Sequence, residues 1–316
     1  MNKSNQIKVS IVIPVYNGSL TIKKLLTACL NTFKEIYVLE IVLVNDCSDD
    51  NSYEVCLSLQ EQYPSTITFL SLAKNFGEHN AVMAGLNHTT GDYVVTLDDD
   101  GQNPPQEALR LINHAVQEKL DVVYSYYPQK RHHLARNICS WINGRIANMM
   151  LKKPANLYLS SFRSISKFIV NEIIKYDLPY PYVDGLILRT TSNIGSIETM
   201  HSPRTSGKSG YTIRKLLRLW LNMFTNFSIL PLRVASITGF LFAIVGILVG
   251  CFTLYERTLN PNLPIGWATI AVLCSILGGV QLMALGMVGE YLGRLFMGIN
   301  GQPQFVINKI HKISEV

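Results

Sequence analysis

Short apolar runs alternate with segments of helical periodicity from the start of the chain to Tyr127. Five runs have the length and composition of buried strands: Val9–Pro14, Glu40–Asn45, Ile67–Leu72, Tyr93–Leu97 and Asp121–Tyr127. Four segments between them place apolar residues at helical spacing: Leu20–Lys34, Ser52–Tyr63, His79–Asn87 and Pro104–Lys119. This alternation predicts an α/β fold with a parallel, doubly wound sheet. In such sheets, ligands bind beyond the carboxyl ends of the strands.

Two longer apolar runs follow, and they account for the high hydrophobic content of the chain. The 316 residues are 48% hydrophobic and only 16% charged, with a mean hydropathy of +0.18. Residues 234–254 and 267–288 carry no charged side chain. Each run has the roughly 20 residues that a helix needs to cross a bilayer. The alternative, a pair of core helices, would require unusually long uncharged segments, so the sequence predicts two transmembrane helices.

Basic residues flank these two runs, whereas the link between them is short and nearly neutral. The flanking residues are Arg214, Lys215, Arg218 and Arg233 before the first run and Arg294, Lys309 and Lys312 after the second. An excess of Lys and Arg marks the cytoplasmic side of a membrane. The sequence therefore predicts a multi-pass protein of the inner (cytoplasmic) membrane, with its large N-terminal part in the cytoplasm.

A third membrane-related pattern lies directly before the first span, in residues 213–228. Leu217 and Trp220 fall on one face of a helix there, and Arg214 and Arg218 fall on the other. We expect an interfacial amphipathic helix, with packing against the N-terminal domain as the alternative. The predicted organisation is a cytoplasmic domain (1–210), a juxtamembrane helix (211–229), two transmembrane helices (230–290) and a cytoplasmic tail (291–316).

Polar loops follow the first four predicted strands. They read "PVYNG" (14–18), "NDCSDDNS" (45–52), "AKNFGEHN" (73–80) and "DDDGQNPP" (98–105). Turn and capping chemistry explains part of this polarity, but four such loops at one sheet edge predict a ligand site. No GxGxxG follows the first strand and no GxxxxGK[ST] occurs, so phosphates must be bound by another device.

A divalent cation would supply that device. Asp98, Asp99 and Asp100 stand in a row after a strand, and three like charges are tolerable there if a cation lies among them. Hard oxygen ligands suit Mg²⁺ or Mn²⁺, which would neutralise a diphosphate. The formal net charge of +6, without a recognisable nucleic-acid module, indicates affinity for lipid headgroups or phosphates and no nucleic-acid partner.

The ordered motifs resemble those of glycosyltransferase family 2. "VSIVIPVYNG", "IVLVNDCSDDNS", "AKNFGEHNAVMAGL" and "GDYVVTLDDDGQNPP" carry the resemblance. The later "RTSGKSGY", the two spans and "MVGEYLGRLF" narrow it to the polyprenyl-phosphate glycosyltransferases, such as dolichyl-phosphate mannose synthase and the bacterial undecaprenyl-phosphate enzymes of O-antigen glucosylation and lipid A aminoarabinose addition. The resemblance implies a GT-A (Rossmann-like) catalytic domain. It also implies an inverting, metal-dependent transfer of a sugar from a nucleotide diphosphate, most simply UDP, to undecaprenyl phosphate.

The resemblance also implies roles for individual residues. Nucleotide-sugar binding would fall to Pro14, Tyr16, Asn17, Asp46, Lys74, Asn75, Asp98 and Asp99. Asp46 would bind the base, typically uracil. Asp100 and Gln102 would hold the metal, which makes Asp100 a catalytic residue. Asp99 stands where relatives usually have a small residue, so its role is open.

Cations for the acceptor phosphate are expected from three segments. Arg204, also a catalytic candidate, and Lys208 lie in "HSPRTSGKSGY", Arg136 lies in "QKRHHLAR", and Arg163 ends "YLSSFR". Arginine suits bidentate phosphate binding. Solvated basic surface is the alternative for the first two segments.

Three departures from the family pattern bear on catalysis. The usual glutamate after "PxYN" is Gly18, the metal motif contains Gly101, and Ser160 and Ser161 replace an acidic segment proposed as a base. A lipid phosphate is already largely anionic near pH 7, because its second pKa is about 6, so it needs little help from a base. Asp184 is the fallback base, with a structural turn role as the alternative.

Two other functions stay open at this point. The lost acidic residues are compatible with a catalytically silent, nucleotide-sugar-binding membrane adaptor. A processive polysaccharide synthase fits less well, because two spans are few for a channel and the "QxxRW" signature is absent. Relatives imply a homo-oligomer, and two spans imply a separate flippase for the product lipid.

Overall fold

The computed structural model of the chain describes residues 6–127, 157–200, 230–259 and 266–313. These residues belong to two compact units, one formed by residues 1–212 with 302–316 and the other by residues 213–301. The predicted juxtamembrane helix at 211–229 lies outside the described residues.

The first unit is an α/β domain built on an eight-stranded sheet in the order β7-β5-β6-β4-β1-β2-β3-β8. The strands are β1 (Lys8–Val15), β2 (Val38–Asn45), β3 (Ile67–Leu72), β4 (Tyr93–Thr96), β5 (Val122–Tyr126), β6 (Arg163–Ser166), β7 (Ile194–Glu198) and β8 (Ile307–His311). The helices of this unit are α1 (Ile22–Phe33), α2 (Ser52–Gln62), α3 (Glu78–Leu86), α4 (Pro105–Gln117), α5 (Lys167–Ile173) and α6 (Val183–Thr190). The α/β fold predicted from the sequence is confirmed.

The prediction of a parallel sheet holds for the five predicted strands, but the sheet also contains two antiparallel strands that were not predicted. The neighbours β4, β1, β2 and β3 are parallel, as the alternating pattern predicted, and β5 is parallel to β7. In contrast, β6 runs antiparallel to β4 and β5, and β8 runs antiparallel to β3. Both antiparallel strands lie beyond Tyr127, where the alternating pattern ends, so that pattern gave no signal for them.

Amphipathic helices cover the parallel strands. In α1, Leu25, Leu26, Cys29 and Phe33 recur at helical spacing and are buried against the sheet. Helix α4 begins with proline at its first turn, where the missing N–H costs nothing. The six residues of β3 are all buried, which explains why this strand reads as a continuous apolar run.

The chain returns to the sheet after its last helix. Strand β8 pairs with β3, and the His311 ring stacks on Phe69 with 5.5 Å between ring centroids. The Gln304 side chain donates hydrogen bonds of 3.1 Å to the carbonyls of Tyr176 and Leu178. Residues 302–313, predicted as part of a tail, therefore belong structurally to the α/β unit.

The second unit contains α7 (Leu230–Leu259) and α8 (Trp267–Ile299) among its described residues. Each helix includes a segment long and apolar enough to cross a membrane, Ala235–Phe252 and Ile276–Ile299. The two helices extend beyond the predicted spans of 234–254 and 267–288.

Candidate active site

The carboxyl ends of β1, β2 and β4 lie side by side, and their loops are joined by side-chain to backbone hydrogen bonds. After β1, four successive amides are each bonded to a side-chain oxygen. Tyr16 N donates to Asp99 (3.0 Å), Asn17 N to Ser48 (3.1 Å), Gly18 N to Ser52 (2.9 Å) and Ser19 N to Asp50 (3.2 Å). The chain can turn there because Asn17 adopts a left-handed conformation with φ +56°. This loop is fixed before any ligand binds.

The side chains of the predicted nucleoside residues take part in the same contacts. The Tyr16 hydroxyl donates to Asp49 at 3.2 Å, and the Asn17 side-chain oxygen accepts from the Asp49 amide at 2.9 Å. Tyr16 keeps 46% of its surface exposed, so its ring is available to a ligand. Pro14 is half-buried and pairs in register with Val44 of β2.

Asp46 follows β2 and holds the start of α3. Its two carboxylate oxygens accept from the Phe76 amide at 2.7 Å and from the Gly77 amide at 2.8 Å. Burial raises the pKa of Asp46 to about 6, although both hydrogen bonds oppose the shift. Lys74 and Asn75 in the same loop are exposed, and the Lys74 ammonium lies 4.9 Å from the centroid of the Phe76 ring.

Asp98 follows β4 and is partly buried. Within the described residues, its one hydrogen-bond donor is the Ser161 hydroxyl at 2.8 Å. Burial raises the pKa of Asp98 to about 6, and the negative charges of Glu78 and Asp100 add to the effect. A cation bound near Asp98 would stabilise the ionised form of its carboxyl group.

The residues of the predicted metal site form a tight turn. The Gln102 amide donates to the Asp100 carboxylate at 3.0 Å, and Gly101 between them has φ +71°, a conformation that favours glycine. No cluster of three or more His, Cys, Asp or Glu side chains suited to a metal occurs among the described residues. The oxygen donors of Asp98, Asp100 and Gln102 fit a hard cation that takes its other ligands from phosphate and water.

Asp184 and Arg163 form a buried pair, which differs from both of their predicted roles. The Arg163 guanidinium binds the Asp184 carboxylate, and the Tyr124 hydroxyl donates to the same oxygen at 2.9 Å. Arg163 is 2% exposed and Asp184 is 6% exposed. A carboxylate held by two donors is a poor base, and a buried guanidinium with a carboxylate partner is a poor ligand for a lipid phosphate. The geometry favours the structural alternative for Asp184.

His79 and Tyr182 lie beside this pair, and His79 was not among the predicted site residues. Their rings meet edge to face with centroids 5.2 Å apart. Burial lowers the pKa of His79 to about 4, so its ring is neutral near pH 7. His79 lies in the 73–80 loop, which the sequence predicted to border a ligand site. The sequence did not show that its ring would lie beside Tyr182, Arg163 and Asp184. Arg136, Arg204 and Lys208 lie outside the described residues.

Comparison with known proteins identifies sequence relatives over nearly the whole chain. An undecaprenyl-phosphate 4-deoxy-4-formamido-L-arabinose transferase of Serratia proteamaculans is 32% identical over 313 residues, covering 96% of this chain and 94% of that protein. Proteins of the same name from Photorhabdus laumondii and Yersinia pestis are each 31% identical over 316 residues; both matches cover 96% of this chain, with 94% and 93% of the respective relatives.

Solved structures show the same fold at much lower sequence identity. Glucosyl-3-phosphoglycerate synthase from Mycobacterium tuberculosis, in complex with Mn²⁺, UDP and phosphoglyceric acid, has a TM-score of 0.52 and 15% identity; the match covers 69% of this chain and 76% of that chain. Its complex with Mn²⁺ and UDP-glucose has a TM-score of 0.51 and 16% identity, covering 69% and 79%. These matches support the GT-A architecture of the α/β domain.

The family model for glycosyl transferase family 2 matches residues 10–174, from β1 to the end of α5. The match includes all four loops at the carboxyl edge of the sheet and the Ser160–Arg163 segment. Together with the Serratia relative, which is 32% identical in a match that covers 96% of this chain, it shows that the chain belongs to glycosyl transferase family 2 and is a glycosyltransferase.

Proposed function

We propose that this protein transfers a sugar from a UDP-linked donor to undecaprenyl phosphate, with inversion and with the help of a divalent cation. The observation that carries the proposal is the carboxylate-rich edge of the sheet, where Asp98 has a raised pKa and only a neutral hydroxyl as donor within the described residues. The names of the relatives support the lipid acceptor. They also make the UDP-linked form of 4-deoxy-4-formamido-L-arabinose the first donor to test.

The nucleotide would bind along the β1, β2 and β3 loops. Tyr16 offers an exposed ring, and the Tyr16–Ser19 backbone is held in place by its four side-chain partners. Asp46 would accept from the base with the lone pairs that Phe76 and Gly77 leave free. The UDP bound by the structurally similar mycobacterial enzyme supports a UDP-linked donor.

Asp100 and Gln102 would hold the metal, with Asp98 next to the sugar. A bound Mg²⁺ or Mn²⁺ supplies charge neutralisation to the diphosphate as it leaves. The chain turns at Gly101, between the two ligand residues, and the Gln102 amide donates a hydrogen bond to the Asp100 carboxylate. The Mn²⁺ in the mycobacterial complexes supports a divalent cation but does not distinguish Mn²⁺ from Mg²⁺.

The transfer is a single displacement at the anomeric carbon. An oxygen of the acceptor phosphate forms the new bond on one face while the bond to the diphosphate breaks on the other, so UDP leaves and the configuration inverts. The attacking oxygen carries charge already, because a phosphate monoester has a second pKa of about 6. Ser160 and Ser161 in place of acids are compatible with this chemistry. Arg204, Lys208 and Arg136 are the proposed acceptor-phosphate residues.

We further propose that the two apolar helices anchor the protein in the inner membrane, with the α/β domain in the cytoplasm. Their length and composition are sufficient for two spans. The cytoplasmic placement relies on the basic residues around the spans. A homo-oligomer and a separate flippase complete the proposal.

The test is UDP release by purified full-length protein with undecaprenyl phosphate, Mn²⁺ or Mg²⁺, and a panel of UDP-sugars. Asp100→Ala is the matched variant, because it removes the proposed metal ligand. Lipid-dependent release with one sugar, lost in Asp100→Ala, supports the proposal and names the donor. UDP binding without release for any sugar contradicts it and favours the nucleotide-binding adaptor.

A further inference from the structure

Among the described residues, four side chains accept from the backbone amides of Tyr16–Ser19, and Asp99 is the one that comes from the loop after β4. The other three partners, Ser48, Asp50 and Ser52, all belong to the loop after β2 and the start of α2. Strands β1 and β4 are parallel neighbours, so their carboxyl ends are adjacent. The hydrogen bond from Tyr16 N to Asp99 therefore joins the nucleoside loop to the turn that carries Asp100 and Gln102.

The Asp99 carboxylate also fills the space that a side chain at position 18 would take. A Cβ atom built on Gly18 would overlap Asp99 Oδ2 and would lie only 3.0 Å from Asp99 Cγ. Gly18 is buried, and its own amide is fixed to Ser52, so the backbone has little room to yield. A side chain at position 18 would displace the Asp99 carboxylate, and the Gly18 backbone itself does not have a positive φ.

We propose that Gly18 and Asp99 are a matched pair in which Asp99 is a positioning residue for nucleotide-sugar binding. Both positions depart from the pattern of the family, with glycine where a glutamate is usual and aspartate where a small residue is usual. The two departures meet in space. The Asp99 carboxylate, from the end of β4, binds the Tyr16 amide and occupies the space that a side chain at position 18 would need.

The inference rests on the proposed nucleotide-sugar binding and adds a role for Asp99 that the sequence left open. By holding the Tyr16 amide, Asp99 sets the distance between the loop that would contact the nucleoside and the turn that would hold the metal. Such a residue affects donor binding more than the chemical step, because its interaction is the same in the ground state and the transition state.

The test is a double-mutant cycle read by UDP affinity in the presence of Mn²⁺ and by the KM for the donor. Gly18→Ala should weaken UDP binding about tenfold, because the added methyl displaces the Asp99 carboxylate, while kcat changes less than about threefold. Asp99→Ala should weaken binding several-fold. Gly18→Ala/Asp99→Ala should bind no worse than Asp99→Ala alone, since the clash is gone. Gly18→Glu/Asp99→Ala, which returns the carboxylate to the family position, should recover at least half of the affinity lost in Asp99→Ala.

Two controls separate pairing from loss of folding. Asp99→Asn keeps an oxygen acceptor for the Tyr16 amide and should bind UDP more tightly than Asp99→Ala. Asp50→Ala removes a partner of the same loop from the β2 side, so it should not relieve Gly18→Ala. Thermal unfolding without ligand should show the same coupling between positions 18 and 99.

Additive effects of Gly18→Ala and Asp99→Ala, in protein that binds UDP, would overturn the pairing and leave the proposed function intact. Equal relief of Gly18→Ala by Asp50→Ala would also overturn it. Wild-type protein that binds no UDP would contradict the proposed function itself, and with it the positioning role of Asp99. Coupling seen only in thermal unfolding would then describe a packing contact.

Discussion

The two carboxylates Asp98 and Asp184 belong to the same α/β domain and are in opposite states. Asp184 is buried and already has a guanidinium and a phenol as donors, from Arg163 and Tyr124. Asp98 has the Ser161 hydroxyl as its one donor among the described residues, and burial with neighbouring negative charge raises its pKa to about 6. Asp184 has a cation as a partner, whereas no cation donates a hydrogen bond to Asp98 among the described residues.

This difference separates a structural acid from a functional one more clearly than residue type does. A buried ion pair that is complete has little to offer a ligand, since a ligand would have to break it at a cost of several kcal/mol. An acid with unbalanced charge stabilises any cation that enters its site. The comparison predicts that changes near Asp184 affect folding and changes near Asp98 affect turnover.

The largest effect is expected for Arg163→Met. The variant leaves the Asp184 charge buried without its cation, which typically costs about 3–5 kcal/mol. We expect a lower free energy of unfolding, measured by denaturant titration with circular dichroism in detergent. The double variant Arg163→Met/Asp184→Leu should regain much of the loss, because no unpaired charge remains. A normally stable Arg163→Met with a raised KM for lipid would instead restore the acceptor-phosphate role to Arg163.

Asp98→Asn should show the opposite pattern. The amide keeps an oxygen for the Ser161 hydroxyl but removes the charge, so UDP release should fall about 10²–10³-fold, the range for loss of one preorganised electrostatic contact. The free energy of unfolding should not fall, because the raised pKa shows that the ionised acid opposes folding above pH 6. If Asp98→Asn lost as much free energy of unfolding as Arg163→Met, the conclusion that Asp98 is functional and Asp184 structural would be contradicted.

The local strand-helix units and the long-range pairings also differ in how far the sequence predicts them. Strands β1 to β4 and their helices lie close to the predicted bounds, because each is a local unit with its own apolar periodicity and turn residues. The Arg163–Asp184 pair joins the start of β6 to the first turn of α6, and β8 pairs with β3, which lies far earlier in the chain. Local periodicity carries no information on such pairings.

The same limit applies within the candidate site. The sequence showed that Gly18 and Asp99 each depart from the family pattern, but only the adjacency of β1 and β4 shows that the two residues touch. The fixed start of α3 was equally invisible, because the Asp46 carboxylate reaches amides 30 and 31 residues away. Motifs identify which residues matter, and the sheet order decides which of them act on one another.

A smaller effect is expected from the titration of Asp46. Its pKa is about 6 in the folded protein against 3.8 as a reference, so the carboxylate ionises only above about pH 6. The ionised form accepts from Phe76, Gly77 and the proposed base, so donor affinity should fall by up to about tenfold per pH unit below 6. The folded state binds the proton more tightly, so this group's contribution to stability falls as pH rises from about 4 to 6.

The pH dependence of the KM for the donor, measured between pH 5 and 8, checks this prediction. Asp46→Asn provides the control: it cannot titrate, so its KM should be high and should lose the inflection near pH 6. An inflection that persists in Asp46→Asn would assign the titration to another group. The contrast drawn between Asp98 and Asp184 would then not apply to Asp46.

The smallest effect comes from removing one hydroxyl donor from each acid, as a matched pair of variants. Tyr124→Phe leaves Asp184 with Arg163, so we expect a loss of about 1–1.5 kcal/mol in unfolding free energy and nearly normal UDP release. Ser161→Ala removes the described donor of Asp98, so release should fall several-fold with little change in stability. Denaturant titration gives the free energy of unfolding of each variant, and steady-state kinetics give its turnover. If Tyr124→Phe changed turnover as much as Ser161→Ala does, Asp184 would have to be counted among the acids that act on the substrate, and its bonds to Arg163 and Tyr124 would no longer mark it as structural.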